Sequence, residues 1–313
     1  MATSGSVNLT TSRDELIKAA YQHIGYIGEG DTPSSTQYTE AALLLNWIAK
    51  LRMADGMPLW SLKTGYVLPL TGVNSVVLGG SSHAVSSYTA TTTSAAAASG
   101  ASTIVVTSAT GFSDTYAIGI ELSDSTMQWT TINGAPSGTT ITLTATLTGA
   151  VSSGAQVYAY STSNRIVRPL RVVDAFIYSV VDDSRHPINV VTYDEYNSLG
   201  SPTSTGIPNQ VYYDPALSSA SLYVYPRFLT GDNLIQIRYH RPFDDFDASS
   251  DEPDFPQEWY LPLMMELAAL LGPKAGLSIE ERRTLFQEAA IYRDMALSNG
   301  TEEGSFRITP ERG

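Results

Sequence analysis

The segment Phe255–Gly300, FPQEWYLPLMMELAALLGPKAGLSIEERRTLFQEAAIYRDMALSNG, predicts two consecutive helices. The apolar residues of the first recur at helical spacing: Trp259, Leu263, Leu267 and Leu270. Gly272 and the proline after it end this pattern, and Pro262 inside it predicts a kink or a late start. Ser278 and Glu281 then form a capping box, in which the hydroxyl and the carboxylate bind free amides at the start of the second helix.

The N-terminal end is organised in the same way. A capping box at Ser12 and Glu15 opens one helix, and a second helix is predicted from Ser35 to about Asp55. The second helix is apolar on nearly all sides, which is typical of a helix that is buried on more than one face. We therefore predict that several of its residues, together with a tryptophan of the C-terminal helices, serve core or subunit packing: Leu43, Leu44, Trp47, Leu51 and Trp259.

The middle of the chain alternates between apolar and polar residues and predicts strands. The predicted strands are Ser102–Ser108, Tyr116–Leu122, Thr126–Ile132, Thr139–Thr146, Gln156–Tyr160, Val172–Val181, Asn189–Tyr193, Gln210–Tyr213, Leu222–Tyr225 and Leu234–His240. Between Lys63 and Arg165 there is no lysine or arginine, so residues of about 90–162 are expected to form a separate β-rich module. The tract Thr89–Ser102, TATTTSAAAASGAS, is interpreted as a low-complexity connection into it. A third capping box, Thr192 to Glu195, predicts one short helix.

These patterns predict an α+β fold. Short helices are marginal in isolation, so the four terminal helices are expected to pack into one four-helix unit formed from both chain termini. A β-domain carrying the further β-rich module is then inserted between them. The predicted boundaries are 1–62 for the N-terminal helices, 63–245 for the β-domain, 246–300 for the C-terminal helices and 301–313 for an extended tail.

Composition excludes several classes of function. The 313 residues include no cysteine, which removes disulfides, cysteine–zinc sites, iron–sulfur clusters and cysteine nucleophiles. No apolar run is long enough for a membrane span, and the first residues lack the pattern of a signal peptide, so we expect no membrane partner. The 31 acidic and 18 basic side chains give a net charge of −13, the opposite of the basic footprint of a nucleic-acid binder.

A search for catalytic or metal-binding patterns finds none. The four histidines are not at metal-ligand spacing, and nucleophile-elbow, P-loop and dinucleotide-binding patterns are missing. The acidic run from Asp244 to Asp254 could in principle bind calcium or supply two carboxylates for glycoside hydrolysis, but it is interpreted as a solvated linker. We expect no catalytic residue, no cofactor and no metal, and therefore a protein that is not an enzyme.

The two ends carry a resemblance. Ser12–Gly56, SRDELIKAAYQHIGYIGEGDTPSSTQYTEAALLLNWIAKLRMADG, together with Phe255–Gly300, resembles the terminal helices of head-to-tail adaptor proteins of short-tailed bacteriophages, of the tail tubular protein A type. The segment around Thr192–Leu199 resembles a short helix of that family, and GIELSDSTMQWTTI is similar to inserts of related virion proteins.

This resemblance implies a virion structural protein at the head–tail interface, assembled in the host cytoplasm. It implies a dodecameric ring of this chain that docks on the phage portal protein and joins it to the tail nozzle (tail tubular protein). DNA would pass through the channel of this ring without specific binding. The family's C-terminal segment extends into the portal. In this chain Phe306 and Ile308 alternate with the polar residues Arg307 and Thr309, which predicts an extended peptide with portal-binding residues Phe306, Arg307, Ile308 and Arg312.

Two other functions stay open. A tail fibre or receptor-binding protein that recognises a surface glycan would explain the Thr/Ser-rich β-module and the 18 tyrosines, since aromatic rings stack on sugars. A glycan-degrading enzyme would need two carboxylates that converge in a cleft. The terminal helices argue against the first alternative.

The charge balance generates a prediction about DNA. Like charges repel, so we expect an acidic channel face and no useful affinity of the isolated protein for duplex DNA. The measurement is an electrophoretic band shift at physiological salt with micromolar protein. A shifted band under these conditions would contradict the prediction.

Overall fold

The computed structural model describes residues 9–55, 59–201, 203–217 and 219–298. The chain divides into two compact units. The first, called the helical unit below, comprises Met1–Ser61 and Phe243–Gly313, and the second, called the β unit, comprises Leu62–Pro242. No helix within the described ranges combines the length and the apolar character needed to cross a membrane.

The described residues contain five α-helices: α1 (Arg13–His23), α2 (Ser35–Asp55), α3 (Tyr193–Asn197), α4 (Tyr260–Leu271) and α5 (Ile279–Ser298). The three predicted capping boxes are confirmed; at α1, for example, the Ser12 hydroxyl accepts a hydrogen bond from the Glu15 amide and the Glu15 carboxylate accepts one from the Ser12 amide. Helix α4 begins late, after a short 3₁₀ turn, so Pro262 lies in its first turn. The missing amide hydrogen of proline costs nothing there, because first-turn amides have no partner within the helix.

The helical unit is organised around α4. Its sequence is apolar except for Glu266, and eight of its twelve residues are buried. Helices α1, α2 and α5 all pack against it. An aromatic group closes one side of this core: Trp60, Phe243, Phe255 and Trp259, with ring centroids 4.7 to 6.2 Å apart. Because α4 needs cover on several sides, both ends of the chain contribute to one core.

The β unit contains sixteen strands. These are β1 (Leu62–Val67), β2 (Ser75–Leu78), β3 (Ala84–Val85), β4 (Thr89–Thr92), β5 (Thr103–Val105), β6 (Ala117–Glu121), β7 (Met127–Thr131), β8 (Thr140–Thr142), β9 (Gln156–Tyr160), β10 (Arg171–Ser179), β11 (Ser184–Val191), β12 (Thr205–Gly206), β13 (Gln210–Asp214), β14 (Ala220–Tyr225), β15 (Arg227–Phe228) and β16 (Asn233–His240). They are counted over the described residues.

Eight of the strands form the main sheet, in the order β2-β14-β13-β11-β10-β16-β1-β3. All neighbours are antiparallel except β11 and β13, which are parallel. The two edge strands approach each other, so the sheet is nearly closed around its own core. Val67, Val211, Leu222 and Ile237 are among the fully buried residues inside it.

The predicted module of about residues 90–162 has a core of its own. Strands β4-β9-β6-β7 form one sheet and β5-β8 a second, and a cluster of mainly isoleucine, leucine and valine side chains forms their core. The turn at Ser123–Ser125 joins β6 to β7 as predicted, with Ser125 at φ 65°. Threonine pairs such as Thr131 and Thr144, whose hydroxyls are 2.9 Å apart, cover the outside.

A set of aromatic contacts, called the clasp below, holds the module against the main sheet. The Trp129 ring of β7 stacks on the His83 ring at 4.0 Å between centroids, and the Tyr160 hydroxyl lies 2.8 Å from His83 Nδ1. The Trp129 Nε1 donates to the Pro69 carbonyl, and the Tyr158 hydroxyl donates to that of Gly231. The buried tyrosines therefore have partners for their polar ends, which is the usual condition for burying them.

The predicted fold class is wrong. The chain is mostly β, dominated by the nearly closed eight-stranded sheet, and helices make up only about 27% of it. The terminal helices do share one core, to which α5 adds Ala296 and the partly buried Leu285, but they do not define the fold, because the eight-stranded sheet dominates it. The prediction gave too much weight to long periodic helices and too little to the short strands that complete the main sheet.

The interpretation of Thr89–Ser102 as a connection is also wrong. Its first residues form β4, which pairs with β9 from Thr89↔Ala159 to Thr92↔Gln156. The amide of Thr93 continues the pairing to the Ala155 carbonyl. Threonine favours extended backbone, and this preference outweighs the low complexity of the tract.

The clasp predicts an acid-sensitive fold. Burial, with a smaller effect of Arg165, lowers the pKa of His83 from 6.5 to about 4. The unfolded chain therefore takes up the proton first, so stability is fully present above pH 6.5 and falls as the pH drops towards 4. We expect a loss on the order of 2 kcal/mol over this range, measured by urea unfolding at several pH values.

His83→Gln should flatten this part of the pH profile, because glutamine can still bond to Tyr160 but does not titrate. His23→Gln, at an exposed position of α1, is the matched control and should leave the slope unchanged. An identical slope in wild type and His83→Gln would refute the assignment.

Candidate functional site

Helix α2 carries an apolar stripe that the described part of the chain does not cover. Leu43, Trp47 and Leu51 are 52%, 59% and 54% exposed. They are spaced by four residues and therefore lie along one face of the helix. On the opposite side Leu45 and Ile48 are buried in the core of the helical unit. A helix with its inner face fully packed has thus kept a second, outward apolar face.

The stripe runs into a groove between α2, α4 and α5. The groove has a volume of about 130 Å³, and its apolar wall includes Leu51, Leu270 and Phe286. At its base Arg52 and Glu266 form an ion pair, with Nε and Oε2 3.2 Å apart and both side chains about nine-tenths buried. The pair joins α2 to α4, and removing one partner would leave an uncompensated buried charge.

Helix α5 exposes a second apolar face. Ile291 and Met295, four residues apart, are both more than half exposed. Ile291 lies about 140° around the helix from Phe286, since each residue turns it by about 100°. This face therefore points away from the groove. Over the described residues, the helical unit presents two different apolar faces that no other element covers.

The residues predicted to serve core or subunit packing separate into two groups. Trp259 is buried in the core of the helical unit, and Leu44 is half-buried against it. Leu43, Trp47 and Leu51 form the exposed stripe. Ile291 and Met295 were not singled out from the sequence, although their spacing along a helix with few buried residues was a usable signal. Phe306, Arg307, Ile308 and Arg312 lie outside the described residues.

The acidic run is more ordered than a solvated linker. The amides of Asp247 and Ala248 donate to the Asp251 carboxylate, and the Lys50 ammonium pairs with Asp245 at 2.5 Å. Phe246 is buried and exchanges hydrogen bonds with the Asn46 side chain. Asp245 thus helps to hold this loop against α2, and Asp251 orders the loop itself.

The histidines do not come together. His83 belongs to the clasp and His186 lines a cleft on the β unit. Burial lowers the pKa of His240, with smaller effects of Arg171 and Arg238. Over the described ranges no three histidine or carboxylate groups gather as a metal site.

The aromatic residues of the module face inward. Tyr158 and Tyr160 are buried, and Tyr116 and Trp129 are only partly accessible. A sugar-stacking platform needs exposed rings, so this module does not present the aromatic surface that a glycan-binding function was expected to use. No protein-family model matches the chain, and a comparison with curated proteins finds no significant match.

The exposed stripe can be distinguished from core packing by mutation. Trp47→Ser removes a large side chain that the isolated chain leaves in solvent, so we expect a change within about 0.5 kcal/mol in the free energy of unfolding. Leu45→Ala, two residues away on the buried face, should cost about 2–5 kcal/mol. Urea unfolding of both variants provides the measurement. A cost for Trp47→Ser similar to that of Leu45→Ala would mean that the stripe is covered within the monomer.

Proposed function

We propose that this protein is a structural component of a short-tailed phage virion, a head-to-tail adaptor that forms a ring between the portal and the tail nozzle. The resemblance of both chain ends to that family motivates the proposal. The observation that carries it is the pair of different uncovered apolar faces on the helical unit, the α2 stripe and the α5 face at Ile291 and Met295. Exposed apolar faces of this kind mark protein–protein contacts.

Two unlike faces on one unit favour a ring over a dimer. When one patch of a subunit binds a different patch of the next, the contact is heterologous and repeats until the rotation closes. A twofold dimer would instead use the same patch twice. The ring size of twelve comes from the family resemblance. The two different apolar faces of this chain support a ring but do not set the number of subunits.

The charge of the chain suits a conduit for DNA. A net charge of −13 per subunit gives a ring of such subunits a strongly negative field, which repels the phosphate backbone. A channel that bound DNA tightly would stop the genome from passing. In this proposal DNA therefore crosses the channel without specific contacts, and the ring binds only its protein partners.

The proposed contact with the portal includes residues 301–313. Phe306 and Ile308 would serve as apolar anchors and Arg307 and Arg312 as partners for portal carboxylates, as an extended peptide binds through alternate side chains. The opposite end of the ring would contact the tail nozzle.

The test is assembly with purified portal protein, followed by native mass spectrometry. We expect the chain alone to be monomeric or weakly associated, and a ring to appear when portal is present. Trp47→Glu places a charge on the stripe and should reduce ring formation at least tenfold, because a desolvated unpaired charge costs several kcal/mol. Leu217→Glu, at a residue that is 96% exposed on the β unit, is the matched control and should assemble normally.

A chain truncated after Gly300 separates the two contacts. It should keep the unfolding midpoint of the full chain and lose attachment to the portal. A stable compact dimer with and without portal, or undiminished assembly of both Trp47→Glu and the truncated chain, would contradict the proposal.

A further inference from the structure

Two adjoining cavities open at one end of the main sheet, where β10, β11 and β16 end or begin. Their volumes are about 310 and 260 Å³, and they share Ile207, Asp232 and Asn233. Together they form one cleft, called the end cleft below, within the range of about 300–1,000 Å³ that is usual for ligand sites. It lies wholly within the β unit.

The end cleft has an apolar floor and an apolar rim. Ile177 and Phe228 on its floor are buried residues of the main sheet. On its rim Ile207, Leu229 and Val181 are 63%, 55% and 61% exposed. Isolated exposed apolar residues are common, but three around one concavity favour a site that covers them on binding.

The charges of the end cleft are acidic. Asp182 and Asp232 line it, and among its described lining residues there is no lysine or arginine. Within the described ranges neither carboxylate forms an ion pair. Two unneutralised carboxylates beside apolar surface therefore favour a cationic ligand.

Two arginines adjoin lining residues along the chain; Arg227 donates through Nη1 to the Gly72 carbonyl, and Arg185 is turned away from the end cleft. Arg185 precedes His186, which lines the cleft, and successive side chains of a strand point to opposite faces. Its guanidinium carbon lies 4.5 Å from the Phe176 ring centroid, and Nη1 donates to Gln236 Oε1 at 3.1 Å. Arg185 therefore lies on the other face of the β10–β11 hairpin. It does not neutralise Asp182 or Asp232, so both can pair with a cationic ligand.

We propose that the end cleft binds a lysine or arginine side chain, flanked by apolar residues, on an extended segment of a partner protein. The apolar neighbours of the cation pack on Ile207 and Leu229, and the cation pairs with Asp232. An arginine fits best, because its planar guanidinium can bind a carboxylate through two hydrogen bonds. A neutral glycan fits less well, because no tyrosine or tryptophan lines the cleft as a stacking platform among the described residues. This assignment is independent of the adaptor proposal.

The probes are three blocked peptides, GIRIG, GIQIG and GIEIG, titrated into the full-length protein and followed by ligand-observed NMR. We expect the arginine peptide to bind, the glutamine peptide to bind at least fivefold more weakly and the glutamate peptide not to bind. Raising the salt concentration from 50 to 500 mM should weaken binding of the arginine peptide, since ions screen exposed charge pairs.

Two variants assign the binding to the end cleft. Asp232→Asn should weaken binding of the arginine peptide at least fivefold. Ile207→Ser changes an exposed side chain and should weaken binding of every peptide that binds the wild type. Asp214→Asn on β13 is the matched control, because Asp214 is an acid of the same unit that does not line the cleft. Equal binding of the arginine and glutamine peptides, no effect of either cleft variant, or displacement of the peptide by maltotriose would overturn the assignment.

Discussion

The burial of helix α4 is the constraint on which the helical unit depends. Its apolar residues surround the helix, so it needs cover from α1, α2 and α5 at once, and these helices come from opposite ends of the chain. Its one charged residue, Glu266, is buried beside Arg52 of α2. The inner face of α2 therefore packs against α4. The leucines and the tryptophan on its outer face then have no covering element in the described chain, and this uncovered surface is the basis of the proposed subunit contact.

The β unit is held together differently. Its strands pair into sheets, and aromatic contacts then join the module to the main sheet. The module has its own small apolar core, and the clasp of Trp129, His83 and Tyr160 attaches it to the main sheet. Gly119 is part of this arrangement, because a Cβ there would lie 2.6 Å from the Trp129 ring. The module therefore packs directly on the main sheet of the β unit. Its hydroxyl-rich, lysine-free outside contrasts with the acidic end cleft beside the same sheet.

Helix boundaries were predictable because the signals that set them are local. The serine and threonine capping boxes at Ser12, Thr192 and Ser278 place hydrogen-bond partners three residues apart, so sequence alone locates each helix start. Most longer strands were predictable from alternation. The strands β1 to β4, and the two-residue strands β12 and β15, were not predicted. Strands β2, β3 and β4 have at most four residues, and β1 pairs with β16 from the far end of the β unit. That omission produced the incorrect fold class.

The functional surfaces were less predictable than the helices. Leu44 and Leu43 are neighbours with identical side chains, and only the packing of the helical core decides that the first is half-buried and the second exposed. The end cleft joins residues from several strands and their loops, from Ile177 to Asn233, with no spacing pattern along the chain. Net charge and cysteine content, by contrast, are properties of the whole sequence, so composition alone narrows the classes of function.

In the proposed ring, the α2 stripe and the α5 face are contacts between subunits. Hydrogen exchange measured by mass spectrometry, on the chain alone and after mixing with portal protein, tests it most directly. We expect new protection in peptides spanning residues 43–51 and 286–295 on assembly, with the module of about residues 90–162 unchanged. Assembly without protection in either helix would contradict the claim.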